Sequence, residues 1–130
     1  MDSHDPSGVS RILIVEDNRD AADATAMLLR MHGFDVAVAY DGRSALRTAK
    51  GYDPDVVLLD LSLPDIDGYA VAVGLRRDGV ARASLVAISG FTPDPDLDDS
   101  WFADRLIKPV GNDDLLALLS RVQGAPPCAR

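Results

Sequence analysis

The stretch Val56–Asp65, VVLLDLSLPD, decides the fold. Val56 to Leu59 are four consecutive apolar residues, which read as a strand buried on both faces. Strands of that kind belong to parallel sheets covered by helices. Directly after the run stands Asp60. A carboxylate is costly to bury without partners, so either Asp60 is an ordinary turn or cap residue or the rest of the chain supplies those partners.

Outward from this strand the chain alternates regularly. Arg11–Val15 (RILIV) is a short apolar run rich in β-branched residues. Asn18–His32 follows with Ala21, Ala24, Leu28 and Met31 at helical spacing and stops at Gly33, a helix-terminating position. Phe34–Ala39 alternates as a strand does. Asp41 caps a helix that runs through Lys50, with Ala45, Leu46 and Ala49 inward and Gly51 as its end. Asp53-Pro54 is a turn, and Asp55–Asp60 is the central strand. Gly68–Arg77 is helical, with Val71, Ala72 and Leu75 on one face and Gly79 as terminator. Ser84–Ile88 is a strand, Arg105–Ile107 a very short one, and Asn112–Val122 a helix with Leu115, Leu118, Leu119 and Val122 as its buried stripe. Strands alternating with helices predict an α/β fold of five strands and about five helices, the sheet parallel and covered on both faces. Ligands of such sheets bind at the carboxyl ends of the strands.

The residues at those ends are Glu16 and Asp17, Asp60, Ser89 and Lys108. Each alone has an ordinary reading: a helix-dipole pair, a turn hydroxyl, a solvated lysine. Together they place three carboxylates, a hydroxyl and an ammonium on one edge. Gathered carboxylates repel one another, and a hard divalent cation such as Mg²⁺ resolves that repulsion. Ser89 and Lys108 suit an incoming phosphoryl group, and Asp60, at the centre, is the natural nucleophile.

On ILIVEDN (12–18), VVLLDLSLPDIDGY (56–69), VAISG (86–90) and LIKPV (106–110), in that order, the chain resembles the receiver domain of two-component response regulators. The resemblance spans roughly residues 11–122. It implies a flavodoxin-like, doubly wound, five-stranded parallel sheet in the order 2-1-3-4-5. It implies phosphorylation of an aspartate by a histidine kinase or histidine phosphotransfer protein in a phosphorelay, followed by signalling through conformational change. Carried over, Asp60 is the phosphoacceptor, and Glu16, Asp17, Asp60 and the Ser62 backbone carbonyl hold Mg²⁺ (or Mn²⁺). Ser89 bonds and reports the phosphoryl group, Lys108 pairs with it, and the Lys108–Pro109 bond is expected to be cis. Self-dephosphorylation belongs to this chemistry; a metabolic enzyme is not implied. LDLSLPDIDGY and IKPV resemble the receivers of hybrid kinases, so the chain is expected to be a stand-alone receiver or one cut from a larger protein.

The chain also departs from the pattern. Ser89 replaces the commoner threonine and Gly111 a frequent capping Asp. Gly74 costs its helix about 1 kcal/mol relative to Ala, and Val73 lies on that helix's outer face. Between Ser89 and Lys108 the chain is shorter than usual. FTPDPDLDDSWFADR (91–105) carries Asp94, Asp96, Asp98, Asp99 and Asp104 with no base before Arg105. It has no apolar stripe, so the family's fourth helix is expected to be short or irregular, anchored by Trp101 or Phe102. Arg105 occupies the switch position where receivers carry an aromatic residue or His; an arginine cannot switch by burying a ring, although it could swing towards an acid of the 94–104 segment.

Bulk properties fit this reading. The chain has 130 residues, 47% apolar and 26% charged, with a net charge of −8, which argues against nucleic-acid binding by this chain. Only 5% is aromatic, so the core is aliphatic. The one cysteine, Cys128, has no intramolecular partner, and MDSHDPSGVS has no signal pattern; a cytoplasmic protein without membrane contact is expected. The expected division is a flexible lead-in (1–10), the receiver (11–123) and a flexible tail (124–130), as a monomer or weak homodimer. A phosphorylation-independent interaction module is the alternative, favoured by the altered 91–105 segment and opposed by the intact acidic triad. A phosphohydrolase of the haloacid-dehalogenase type needs a second Asp where Ser62 stands. A flavin-binding flavodoxin needs a hydroxyl- and glycine-rich loop that does not follow the first strand.

Overall fold

The computed structural model describes residues 10–61, 68–77, 83–90, 102–108 and 110–124, with side chains through residue 120. Nine elements follow in order among these residues: β1 (Arg11–Val15), α1 (Arg19–Met31), β2 (Asp35–Ala39), α2 (Gly42–Tyr52), β3 (Val56–Asp60), α3 (Gly68–Arg77), β4 (Ser84–Ser89), β5 (Asp104–Ile107) and α4 (Asn112–Gly124). The strands form one parallel sheet in the order β2-β1-β3-β4-β5, as the resemblance implies. Asp60 thereby ends the middle strand, paired with Ile88 of β4.

Alternation along the strands divides the core in two. Leu13, Val15, Val57, Leu59 and Leu85 face α2 and α3, where Ala45, Ala49, Val71, Ala72 and Leu75 meet them. Ile12, Ile14, Val56, Leu58 and Val86 face α1 and α4, against Ala22, Ala26, Leu29, Leu115, Leu118 and Leu119. Every residue of β3 is buried, as a strand covered on both faces requires.

The helix boundaries follow local chemistry. Asp41 Oδ1 accepts the Ser44 N–H at 2.8 Å and caps α2 as expected, and Asn18 Oδ1 accepts the Ala21 N–H at 3.0 Å, so Asn18 is the cap of α1 and not its first helical residue. Gly33, at φ 92°, leaves α1 in the left-handed region. The Gly111 carbonyl accepts the Leu115 N–H at 3.0 Å, so glycine serves at the start of α4.

Three expectations need correction. The buried stripe of α1 is Ala22, Ala26 and Leu29, whereas Met31 is 77% exposed and Ala21 and Ala24 face solvent. Both stripes have helical spacing, and packing small side chains on the sheet brings α1 close to it. Helix α2 runs past Gly51 to Tyr52; Asp53, at φ 54°, ends it and its N–H donates to the Ala49 carbonyl at 2.9 Å. Val73 is half-buried and not on an outer face. A Cβ at Gly74 would lie 2.9 Å from Leu46 Cδ2 of α2, the far end of a side chain that can give way. The Ser62 carbonyl, the Lys108–Pro109 bond, Trp101, the Val122 side chain, Gly79 and the fourth helix expected within 91–101 lie outside the described residues.

Candidate phosphoryl and metal site

Strand ends place the candidate residues. Glu16 follows β1, and its N–H extends the β1–β2 ladder by donating to the Ala39 carbonyl at 3.0 Å. Its Oε2 accepts the Asn18 N–H at 3.1 Å, which holds the carboxylate over the start of α1. Asp60 ends β3 and is 2% exposed; the next N–H, of Leu61, donates to the Ile88 carbonyl at 2.9 Å. Ser89 ends β4, buried, and its carbonyl accepts the Lys108 N–H at 2.7 Å. The residues at or just past the ends of β1, β3, β4 and β5 therefore stand at one edge, tied by backbone hydrogen bonds.

The buried Asp60 carboxylate has the partner its position demands. Lys108 Nζ lies 3.1 Å from Asp60 Oδ2 and 3.2 Å from Glu16 Oε1, bridging the two acids. Burial and the neighbouring Asp60 push the Glu16 carboxyl up, against the lowering effect of the Asn18 amide and Lys108. Burial depresses the Lys108 ammonium, but the Asp60 and Glu16 carboxylates outweigh it and the net direction is upward. Lysine is therefore fixed in its charged form between two acids.

Glu16, Asp17 and Asp60 each offer a carboxylate oxygen within 4.8 Å of the others, and Asp17 faces solvent. Three carboxylates set against one ammonium leave an excess of negative charge. Hard oxygen donors with one solvent-facing member suit a cation that keeps several waters, as Mg²⁺ does. The donor set fits such an ion. Beneath it lies a cleft of about 550 Å³ whose polar end is Glu16, Asn18, Asp60 and Lys108 and whose walls include Ile14, Ala22, Leu58, Ile88 and Leu115.

Among the described residues the Arg105 side chain meets aromatic partners; Asp94, Asp96, Asp98 and Asp99, acids towards which it could swing, lie outside the described residues. Nη2 donates to the Tyr69 hydroxyl at 3.1 Å, and the guanidinium carbon lies 5.9 Å from the Phe102 ring centroid. Phe102 packs on the α2/α3 side of the core and meets the Tyr69 ring edge-on, at 5.6 Å and 80°. Phe102 was expected as an anchor. Tyr69 had no expected role, because its partner is 36 residues away in sequence. Gly68 was also missed: a Cβ there would lie 2.6 Å from Leu61 Cα, so only glycine lets α3 begin against the backbone that follows Asp60.

Comparison with known proteins agrees with this geometry. The sequence matches the response regulator receiver domain family over residues 12–120. The DNA-binding dual master transcriptional regulator RpaA of Synechocystis is 34% identical over 92% of this chain and 53% of its own length. The transcriptional regulatory protein KdpE of Mycobacterium tuberculosis is 37% identical over 83% of this chain and 48% of its own. The chain thus spans about half the length of these curated relatives. Among solved structures, a CheY-like receiver domain from Methylobacillus flagellatus is 33% identical, with a TM-score of 0.78 over 88% of this chain and 98% of that one. The receiver domain of the sensor histidine kinase PA1611 from Pseudomonas aeruginosa, solved with magnesium coordinated in its active-site cleft, is 29% identical, with a TM-score of 0.80 over 90% of this chain and 99% of that one. With a buried aspartate ending the middle strand, two further acids beside it and a lysine bridging them, the chain belongs to the response regulator receiver domain family of two-component signalling.

Proposed function

We propose that Asp60 accepts a phosphoryl group from a phosphohistidine of a histidine kinase or phosphotransfer protein. One carboxylate oxygen of Asp60 attacks phosphorus, the N–P bond breaks, and the imidazole keeps the electron pair and takes up a proton. The product is an aspartyl phosphate, a mixed anhydride that water later hydrolyses. The observation that carries the reading is the 3.1 Å contact of Lys108 Nζ with the buried Asp60 Oδ2, beside two further carboxylates.

Glu16, Asp17 and Asp60 would hold Mg²⁺, with the Ser62 carbonyl as the expected further donor. Bound there, the ion neutralises negative charge on the phosphoryl oxygens. Lys108 is already oriented by Asp60 and Glu16 and can follow the phosphoryl oxygens without a rotamer search. Ser89, one residue beyond the register partner of Asp60, supplies a hydroxyl to the same group. Asp60 itself is fixed by a buried strand, so the nucleophile needs no further ordering. Nothing in this chemistry calls for a metabolic substrate.

Incubation with phosphoramidate and Mg²⁺ followed by mass spectrometry tests the assignment. Asp60 should gain one phosphoryl group and Asp60→Asn none; modification of another residue in Asp60→Asn would mean that the nucleophile is misassigned. Modification of neither protein would favour a phosphorylation-independent interaction module.

A further inference from the structure

Lys108 is carried by the least supported strand of the sheet. β5 has four residues, lies at the sheet edge and has β4 as its strand neighbour. Its residues are at best half-buried, and Ile107 is 43% exposed. Short edge strands with few buried contacts open locally at low cost. On the α1/α4 face Leu106 anchors β5 to the core. On the other face stand the contacts among Tyr69, Phe102 and Arg105.

We propose that Tyr69 is a positioning residue that acts through Arg105: its hydroxyl, with Phe102 against its ring, latches β5 to the first turn of α3 and so keeps Lys108 at Asp60. The hydrogen bond joins the two segments that flank the site. Tyr69 directly follows Gly68, where α3 rests on the Leu61 backbone next to Asp60. Arg105 is three residues before Lys108 on the short strand. Phe102 secures the entry to β5, since the adjoining Ala103 N–H donates to the Leu85 carbonyl at 2.7 Å. A guanidinium donor makes a stronger bond than a neutral one, and the edge-to-face ring contact fixes where the tyrosine oxygen can sit. The bearing of the latch on phosphoryl transfer rests on the role proposed above for Lys108; the latch itself does not.

The test is a double-mutant cycle of Tyr69→Phe and Arg105→Met. Tyr69→Phe keeps the ring and removes the hydroxyl. Hydrogen exchange of the Lys108 N–H, which is bonded to the Ser89 carbonyl, should quicken about tenfold in either single variant and no further in the double. The limiting rate of Asp60 phosphorylation by phosphoramidate, measured far below the melting temperature, should fall about threefold to tenfold in either single variant and not further in the double. A purely structural role would leave that rate unchanged, because nearly every molecule is folded there. Unchanged Lys108 exchange in Tyr69→Phe, or additive effects in the double variant, would overturn the latch. If the wild type takes up no phosphoryl group, the reading of Asp60 fails, and the exchange measurement decides the latch by itself.

Discussion

Replacing Gly68 by alanine would put a Cβ 2.6 Å from Leu61 Cα, 2.8 Å from Leu61 Cδ2 and 3.2 Å from the Asp60 carbonyl oxygen. Carbon atoms in contact prefer about 3.5–4.0 Å, so relief needs a shift of about 1 Å. The Leu61 side chain can rotate; the Leu61 and Asp60 backbone cannot move without disturbing the end of β3. Such overpacking costs about 1–3 kcal/mol. At the first residue of α3 the helix propensity of alanine offsets little of it. Gly74→Ala is the internal control. Its Cβ would meet the far end of the Leu46 side chain at 2.9 Å, and that side chain can give way. Alanine gains about 1 kcal/mol over glycine in a helix interior, so Gly74→Ala should be neutral or slightly stabilising. Urea unfolding separates the two. With a slope of about 1–3 kcal/mol per molar, Gly68→Ala should lower the midpoint by about 1 M and Gly74→Ala should leave it in place or raise it. Gly68→Ala should also slow phosphorylation of Asp60, since the carbonyl that must yield belongs to that residue. Equal stability of the two variants would refute the backbone clash.

Mg²⁺ should stabilise the folded chain, by about 2.7 kcal/mol at a hundredfold excess over its Kd; in Asp17→Asn the binding should weaken by about tenfold or more, and an identical thermal shift in that variant would remove Asp17 from the site. Burial and the hydrogen bond to Asp35 push the Tyr52 phenol well above its usual range. Above about pH 10 the unfolded chain loses that proton first, so the contribution of Tyr52 to stability is fully present below that pH and is lost as pH rises beyond it. Tyr52→Phe should flatten this alkaline limb in thermal melts, and an unaltered limb would show that the phenol does not titrate with folding.

The sheet was legible because its signals are local. Runs such as VVLL and SLVAI name their strands, and Asn18 and Asp41 cap the helices that follow them. The meeting of Glu16, Asp17, Asp60 and Lys108 was legible for the same reason, since each stands at or just past a strand end and topology alone brings strand ends together. What escaped depends on contacts between distant segments. In α1, alanines occur on both sides of the helix, and which set turns inward is settled by the sheet, not by spacing. Gly51 looked like a terminator, yet α2 continues because Asp53 adopts the left-handed conformation instead. The contact of Arg105 with Tyr69 could not be read from its sequence neighbours, because the hydroxyl comes from α3, 36 residues away.

The order of the strands assigns different mechanical duties to the two charges that meet at 3.1 Å. The carboxylate ends the innermost strand, which yields only when the whole domain does. The ammonium ends an outermost one, free to detach while the rest stands. A molecule caught in that partly opened form would keep its acidic cluster, and with it the means to hold a cation, but would lack the charge that balances an incoming phosphate. Readiness to bind metal and readiness to receive phosphate are thus separable properties of this fold, and the second is governed from the rim.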